Sequence, residues 1–530
     1  MGVALGILSS RGGCRVDLTQ ERLHTLTEPT RKTLAGIDAG RPVLVTAFVS
    51  PEVPEGFVET KETLLGLLRE YDAIGGDRVL LRIVETERYS KEAQEADDQF
   101  GIKAESVRNA SDGEEDFEGI HLGVAFTCGA EQIVIPFVHR GIPMEYELTR
   151  SIGVVTGARR RRLGVATTDA KVFGGLDFAT MSSQPEWQII AELKKQYEVV
   201  QVGLDAPVTD KFDVLLVALP SSLSQPQMDN LSAYLRKGNP ALLFDDPFVS
   251  IRPQLSASEP KASSRPPMGM MPPPPSEPKG DLAKFMSEIG LQFGADSIVW
   301  DTYNPHPQFR QVPKEILFVG PGGNPRAFNG EDPVSSGLQE FVVIFGGEVR
   351  GRPDAGLTFT PLLVTTPVSG SVLVSQRFQK NPFMGGMMQQ EVPYRPRGQE
   401  MTLAARVKGT LPAAPARDGQ PAAAAGQVNV LFCADLDCIS DMFFQMRRSA
   451  PELNFDNITF VLNAVDVLAG DESYVALRKR RPKHRTLEKL EGLTKSHNQK
   501  MLDESRQAEE RAEKERQEAQ ARLDAKVKEV

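Results

Sequence analysis

Short apolar runs and amphipathic stretches alternate over the first 160 residues. The apolar runs are rich in β-branched residues and end at turn-forming residues, whereas the stretches between them repeat their apolar positions at helical spacing. The pattern predicts strands at 42–49 and 79–84, helices at 64–71 and 90–100, and a hairpin at 120–127 and 132–137. Alternation of this kind indicates an α/β layer structure.

A second block of the same kind follows the four arginines at 159–162. Its strands are apolar at consecutive positions, as in residues 214–217, which is typical of a parallel sheet covered on both faces. The predicted elements are strands at 163–167, 198–202, 212–219 and 241–244, and helices at 186–197 and 225–237.

The composition changes sharply after this block. Residues 251–280 are rich in proline and methionine and predict a linker, because proline cannot continue a helix or a sheet interior. Mixed α/β character resumes after the linker, with strands predicted at 341–345, 403–407 and 428–433. Residues 457–468 predict a helix, since their apolar residues recur at steps of three and four.

The last fifty residues are dominated by Glu, Lys and Arg over a thin apolar seam. They predict a long charged helix or coiled coil supported by ion pairs between successive turns. The fold class expected for the whole chain is therefore multi-domain α/β with this helix at its end. The predicted divisions are an N-terminal segment 1–39, α/β domains 40–158 and 159–250, a linker 251–280, a third α/β region 281–475, and a basic junction with the long helix 476–530.

Charge and hydropathy exclude some classes of function. The chain has 530 residues and a formal net charge of −10, which argues against a general nucleic-acid binder. The apolar run at residues 3–8 is too short to span a bilayer, which needs about 20 apolar residues. We interpret it as a possible remnant of a membrane-proximal region.

Sequence signatures of common enzymes are missing. The chain contains no P-loop, no G-x-S-x-G elbow and no H-E-x-x-H motif. Cys433 and Cys438 do not have the spacing of a C-x-x-C site, and the six histidines are scattered. These observations predict no catalytic residue, no cofactor and no metal.

Carboxylates that follow predicted strands leave an alternative open. Asp245 and Asp246 end the strand at 241–244, and Asp435 and Asp437 follow the strand at 428–433. In α/β folds this is where ligand and catalytic groups lie, so these residues could bind a cation or act as acid and base. Helix caps and turns are the competing structural interpretation.

The strongest charge cluster lies at residues 478–485. It predicts either contact with anionic lipid headgroups or an acidic partner, or a solvated junction before the long helix. Its basic residues are Arg478, Lys479, Arg480, Arg481, Lys483 and Arg485.

Several short segments resemble, in order, the GldG-type auxiliary components of uncharacterised ABC-type transport systems, a family linked to gliding motility. They include residues 15–27, the glutamate–tyrosine–glutamate–leucine–threonine segment at 145–149, residues 212–217, residues 243–247 and residues 434–437. The resemblance implies a glutamine-amidotransferase-like, Rossmann-like fold without glutaminase chemistry. The second block contains no cysteine, which agrees with that implication.

The resemblance also implies partners and a location. It predicts a non-catalytic, extracytoplasmic (periplasmic) interaction module that works with separate ATPase and permease subunits at a bacterial cell membrane. Family members usually carry a membrane helix at each end, and this chain has neither complete. Two alternatives remain: an enzyme, either an α/β hydrolase or a ligand-binding one, that uses Asp245, Asp246 or Asp435, and a scaffold or filament subunit that assembles as a homo-oligomer through its C-terminal helix.

Overall fold

The computed structural model describes residues 25–480, apart from 109–115, 178–181, 262–277, 354–355, 381–386, 414–424, 451–452 and 454. Its α-helices are α1 Glu28–Ala35, α2 Glu55–Gly75, α3 Lys91–Phe100, α4 Met144–Val155, α5 Gln188–Lys194, α6 Gln225–Leu235, α7 Leu282–Glu288, α8 Val374–Arg377, α9 Asp441–Ser449, α10 Asn457–Leu468 and α11 Val475–Arg478.

The strands belong to a four-stranded sheet, a seven-stranded sheet and several two-stranded pairs. In chain order they are β1 Val43–Val49, β2 Val79–Glu85, β3 Glu105–Arg108, β4 Asp116–Ile120, β5 Leu122–Cys128, β6 Glu131–Ile135, β7 Arg162–Ala166, β8 Gly175–Asp177, β9 Ser182–Gln184, β10 Glu198–Val202, β11 Val214–Ala218, β12 Ala241–Phe244, β13 Leu291–Phe293, β14 Ser297–Asp301, β15 Ile316–Val319, β16 Phe341–Ile344, β17 Val349–Gly351, β18 Leu357–Val364, β19 Ser369–Leu373, β20 Phe378–Lys380, β21 Met387–Gln389, β22 Thr402–Leu411 and β23 Gly426–Cys433.

The four-stranded sheet forms the first block. Its order is β2-β1-β5-β6, with β1 and β2 parallel and the other neighbours antiparallel. Helices α2 and α4 pack on one face, where Leu64, Leu68 and Ile152 are buried, and α3 packs on the other through Ala96. This is the arrangement of the thioredoxin fold. The junction between β1 and α2, residues 50–54, contains no cysteine, so the redox motif of such domains is missing.

The seven-stranded sheet has the order β10-β7-β11-β12-β23-β22-β18. The first five strands are parallel. Their order across the sheet, with strands counted along the chain, is that of flavodoxin-like doubly wound folds. The last two strands extend the sheet in antiparallel fashion. The α/β class predicted from the sequence is therefore confirmed.

Both faces of this sheet are covered, as the continuous apolar strands predict. Val214 and Leu216 face the core that includes α5 and α10, whereas Leu215 and Val217 face the core that includes α6 and α7. Each strand therefore presents apolar side chains on both sides, which places the sheet in the centre of a three-layer structure.

The structure differs from the predicted division between residues 250 and 281. The region 281–475 was predicted as a third unit, but three of its strands belong to the seven-stranded sheet that also contains β7 and β12. These strands are β18, β22 and β23. The remaining strands of that region form two-stranded pairs between β12 and β22. Pairing between strands distant in sequence is not visible in local patterns, so sequence periodicity could not assign these strands to one sheet.

Most predicted elements are confirmed with shifts of a few residues, and β10, β12 and α10 match their predicted bounds. The predicted C-terminal long helix lies outside the described residues. None of the helices within the described ranges is long and apolar enough to cross a bilayer.

Candidate functional site

Carboxylates gather at the carboxyl ends of two neighbouring strands. Strands β12 and β23 are parallel and in register, with Phe244 beside Cys433, so the residues that follow both strands emerge side by side. Asp246, Asp435 and Asp437 can each place an oxygen within 4.8 Å of the other two, and all three are buried. We call these three residues the acidic cluster.

Each member of the acidic cluster accepts hydrogen bonds from backbone amides. Asp246 accepts from the amide of Leu436 at 3.0 Å, and Asp435 accepts from that of Ile344 at 2.9 Å. Asp437 accepts from the amide of Ser250 at 2.6 Å. The carboxylates therefore tie the carboxyl edge of the sheet to the chain between β12 and β22.

The neighbouring Asp245 serves the same purpose. Its carboxylate accepts from the amide of Ser221 at 2.7 Å and from that of Asp246 at 2.8 Å, so it links the ends of β11 and β12. Backbone amides satisfy these carboxylates in the way that caps and turns do. The structural interpretation of these aspartates is therefore the one that the geometry supports.

Burial shifts the acid–base properties of the cluster. It raises the pKa of Asp245 and of Asp437 to about 6. The pKa values of Asp246 and Asp435 are raised as well, by burial first and then by the neighbouring carboxylates. Like charges at this distance disfavour ionisation of both members of a pair. The cluster therefore holds protons more tightly than exposed aspartates do.

Among the described residues, the acidic cluster is also the group of side chains that could hold a metal ion. Its donors are carboxylate oxygens, which suit hard cations such as Mg²⁺ and Ca²⁺. Cys433 and Cys438 lie beside it with their sulfur atoms 3.9 Å apart, both buried. Burial raises the pKa of Cys438, so its thiol is a poor nucleophile or ligand.

The turn after β11 leads from a strand toward a helix, the position at which α/β hydrolases carry their nucleophile on a strained turn. Leu219 occupies it with a φ of 67°, a left-handed conformation that costs about 1–2 kcal/mol for a residue other than glycine. Its side chain is apolar and fully buried. The turn is present, but the residue on it cannot act as a nucleophile.

A pocket of about 220 Å³ opens beside the acidic cluster. Two of its lining residues contact Asp437: the amide of Ile251 donates to the carboxylate at 3.5 Å, and the amide of Ser440 donates to the carbonyl at 2.9 Å. Its charged groups are already bonded, because Arg252 donates to Gln184 and the carboxylate of Asp441 accepts from a backbone amide. The pocket is lined by Gln184, Pro185, Trp187, Ile251, Arg252, Ser440, Asp441 and Met442.

The basic cluster predicted for surface contact begins inside the protein. Arg478 is 1% exposed and forms an ion pair with Asp466. Lys479 donates to the carbonyl of Pro333, and Arg480 pairs with Glu145. The prediction of a membrane or partner contact is therefore corrected for Arg478, because it is buried and paired within the fold. Lys479 and Arg480 are partly exposed, and for them the contact stays a prediction.

The other basic residues of the cluster, Arg481, Lys483 and Arg485, lie outside the described residues. The predicted contact with an anionic surface or an acidic partner stays a prediction for them.

Sequence reasoning missed the partners of these buried cations. Asp466 is a carboxylate within the apolar helix α10, and such a residue requires a cation or several donors when it is buried. It accepts from Gln196 at 2.8 Å and from the hydroxyl of Tyr197 as well as from Arg478. A single charge in an apolar helical stripe was the signal that could have located this site.

Together, the strand order and the occupied carboxyl edge define the class of this protein: a doubly wound α/β module without a nucleophile on its strained turn. Comparison with family models narrows the class. Residues 150–464, more than half of the chain, match the auxiliary family described as ABC-type uncharacterized transport system. The chain belongs to this family. Residues 20–127 match a domain of unknown function (DUF7088).

Two further comparisons add little. No curated protein matches the chain. Among solved structures, a ThuA-like protein from Bacteroides uniformis matches at 12% identity, over 59% of this chain and 92% of its own, with a TM-score of 0.26. A similarity at this level carries no argument about the fold or the function of this chain.

Proposed function

We propose that this protein is a non-catalytic interaction subunit of a membrane ABC transport system, of the GldG type. It works beside a separate ATPase and permease, with its α/β domains on the extracytoplasmic side. Membership of the auxiliary family supports the transport role. The finer assignment to GldG-type proteins follows from the ordered segments described above, including residues 145–149 and 434–437.

The observation that supports a non-catalytic role is that the carboxylates at the carboxyl edge of the seven-stranded sheet already bond backbone amides. Doubly wound folds bind ligands in the crevice at this edge. Here Asp246, Asp435 and Asp437 fix backbone segments to one another, and Leu219 stands on the turn that a nucleophile would occupy. The groups that chemistry would use are occupied in holding the fold together.

Co-purification tests this proposal. We expect the tagged full-length chain, extracted from membranes of its native cells, to enrich the ATPase and the permease of one ABC transporter. A matched variant with Arg481, Lys483 and Arg485 changed to Ser asks whether the basic cluster makes the contact. Enrichment of neither subunit by the wild-type chain would contradict the proposal.

A second candidate function, a cation-dependent enzyme or ligand-binding protein, is favoured by one observation: Ile251 and Ser440, which line the pocket, bond Asp437 of the acidic cluster. Elemental analysis of the natively purified chain and titration with Mg²⁺, Ca²⁺ and Mn²⁺ distinguish the two. We expect no stoichiometric metal. One bound equivalent that is lost in Asp437→Asn would establish the second candidate in place of the first.

A further inference from the structure

Helix α4 buries an unusual number of polar side chains. Glu145, Glu147, Thr149 and Arg150 all lie in its first two turns and are less than one tenth exposed. Charged residues are almost never fully buried unless they are paired. Each of these side chains therefore requires partners inside the protein, and those of Glu145 come from both ends of the described chain.

The carboxylate of Glu145 joins two segments that are distant in sequence. Its Oε1 accepts hydrogen bonds from the amide of Thr27 at 2.7 Å, from the hydroxyl of Thr27 at 2.9 Å and from that of Thr30 at 2.7 Å. Its Oε2 accepts from the guanidinium of Arg480. One side chain thus holds both the start of α1 and the residues that follow α11.

Two hydroxyl groups extend this arrangement into the first block. The hydroxyl of Tyr71 lies 2.5 Å from that of Thr149 and donates to the carbonyl of Glu145 at 3.1 Å. The hydroxyl of Thr30 lies 2.9 Å from that of Thr149. We call Thr27, Thr30, Tyr71, Glu145, Thr149 and Arg480 the Glu145 junction.

The same helix contacts the second block. The hydroxyl of Tyr146 donates to Gln196 at 3.0 Å, and the guanidinium of Arg478 lies 4.4 Å from the centre of the Tyr146 ring. Tyr474 approaches so closely that a Cβ at Gly153 would lie 2.9 Å from its hydroxyl. Residues 474–480 are therefore packed against α4 along their length.

The Arg480–Glu145 pair is largely removed from water, with side-chain exposures of 11% and 8%. Withdrawal of one partner from a buried pair leaves an uncompensated charge on the other. Loss of Arg480 would leave the buried carboxylate that holds Thr27 and Thr30 without its cation. The position of Arg480 and the stability of α1 are thus linked through the Glu145 carboxylate.

We propose that the Glu145 junction couples residues 474–480 to helix α1. A partner that withdraws Arg480 from Glu145 loosens α1, and a partner that holds α1 stabilises the position of Arg480. Such coupling is reciprocal by thermodynamic necessity. Only the identity of the partner rests on the proposed function, because the coupling itself is a property of the isolated chain.

Hydrogen exchange of the purified full-length chain tests the coupling. In Arg480→Gln we expect amide exchange to become about tenfold faster both in residues 474–480 and in Glu28–Ala35. A charge-assisted hydrogen bond favours the closed, protected state by roughly this factor or more, and the variant lacks it. Lys479→Gln is the matched control, because Lys479 bonds Pro333 and Ser336 and does not touch Glu145. It should accelerate exchange in residues 474–480 alone.

The reciprocal variant keeps the test open if Arg480→Gln fails to fold. Thr30→Val removes a bond to Glu145 from the other side and should accelerate exchange in residues 474–480 as well as in α1. Unchanged exchange of Glu28–Ala35 in Arg480→Gln, or equal effects of Arg480→Gln and Lys479→Gln there, would overturn the proposal. Capture of transporter subunits plays no part in this experiment, so its failure is distinguishable from failure of the proposed function.

Discussion

Replacement of Arg478 by Met tests whether the basic cluster begins inside the fold. The guanidinium of Arg478 pairs with Asp466, donates to Asn463 at 2.9 Å and to Gln196 at 3.3 Å, and lies over the ring of Tyr146. Met preserves most of the apolar stem and removes the charge, so the variant isolates these polar contacts from simple loss of volume.

The expected cost follows from burial. Both side chains of the Arg478–Asp466 pair are 0% exposed. Removal of one partner from such a pair costs about 3–5 kcal/mol, because the other charge remains without compensation. The cation–π contact with Tyr146 contributes up to about 2 kcal/mol of that total. We therefore expect the free energy of unfolding of Arg478→Met to fall by about 3–5 kcal/mol.

Urea denaturation followed by tryptophan fluorescence measures this change, since Trp187 and Trp300 are both buried. Arg82→Met is the control: its pair with Glu95 is half exposed, so it should cost at most about 1 kcal/mol. The double variant Arg478→Met with Asp466→Asn should be more stable than Arg478→Met, because no uncompensated charge remains. A cost below about 1 kcal/mol for Arg478→Met would refute the burial of this residue and restore it to the surface cluster.

Three further outcomes are expected. Burial raises the pKa of Glu340 from 4.5 to about 7, and burial lowers the pKa of its partner His306. Between pH 4.5 and about 7 the folded Glu340 keeps a proton that the unfolded chain releases, so this group alone lowers the free energy of unfolding by up to about 3 kcal/mol as pH rises across that window. His306 acts with the opposite sign below pH 6.5, because its lowered pKa makes the folded state release a proton that the unfolded state keeps. Glu340→Gln should remove the first contribution, so that the free energy of unfolding rises with pH up to about 6.5 in denaturant titrations at several pH values. Anionic liposomes should retain the wild-type chain better than a variant with Arg481, Lys483 and Arg485 changed to Ser, and equal co-sedimentation would exclude the lipid contact. ATP should show no binding by calorimetry because the phosphate-binding motif is missing, and micromolar affinity would contradict this.

The sequence alone located the secondary structure of the sheet layers. Its patterns at residues 198–202, 241–244 and 457–468 predict the bounds that β10, β12 and α10 have in the structure. These elements are short or strongly periodic. Local apolar patterns are sufficient under those conditions. The ordered segments also predict the auxiliary family, and the match over residues 150–464 confirms it.

Only the tertiary structure decided which distant residues meet. Strand β23 pairs with β12 across more than 180 residues, and that pairing brings Asp246 to Asp435 and Asp437. The intervening chain carries no local record of this contact, because periodicity reports which faces of an element are apolar and not which distant strand it pairs with.

Whether the residues of the basic cluster are exposed or buried also depended on the tertiary structure. Six basic residues in eight positions suggest a surface, since isolated cations are expensive to bury. The structure shows Arg478 buried and Arg480 largely removed from water, because Asp466 on α10 and Glu145 on α4 compensate their charges. Sequence sets the charge of a residue, but the partner that makes its burial possible is supplied by elements far away in the chain, and only the folded arrangement brings them together.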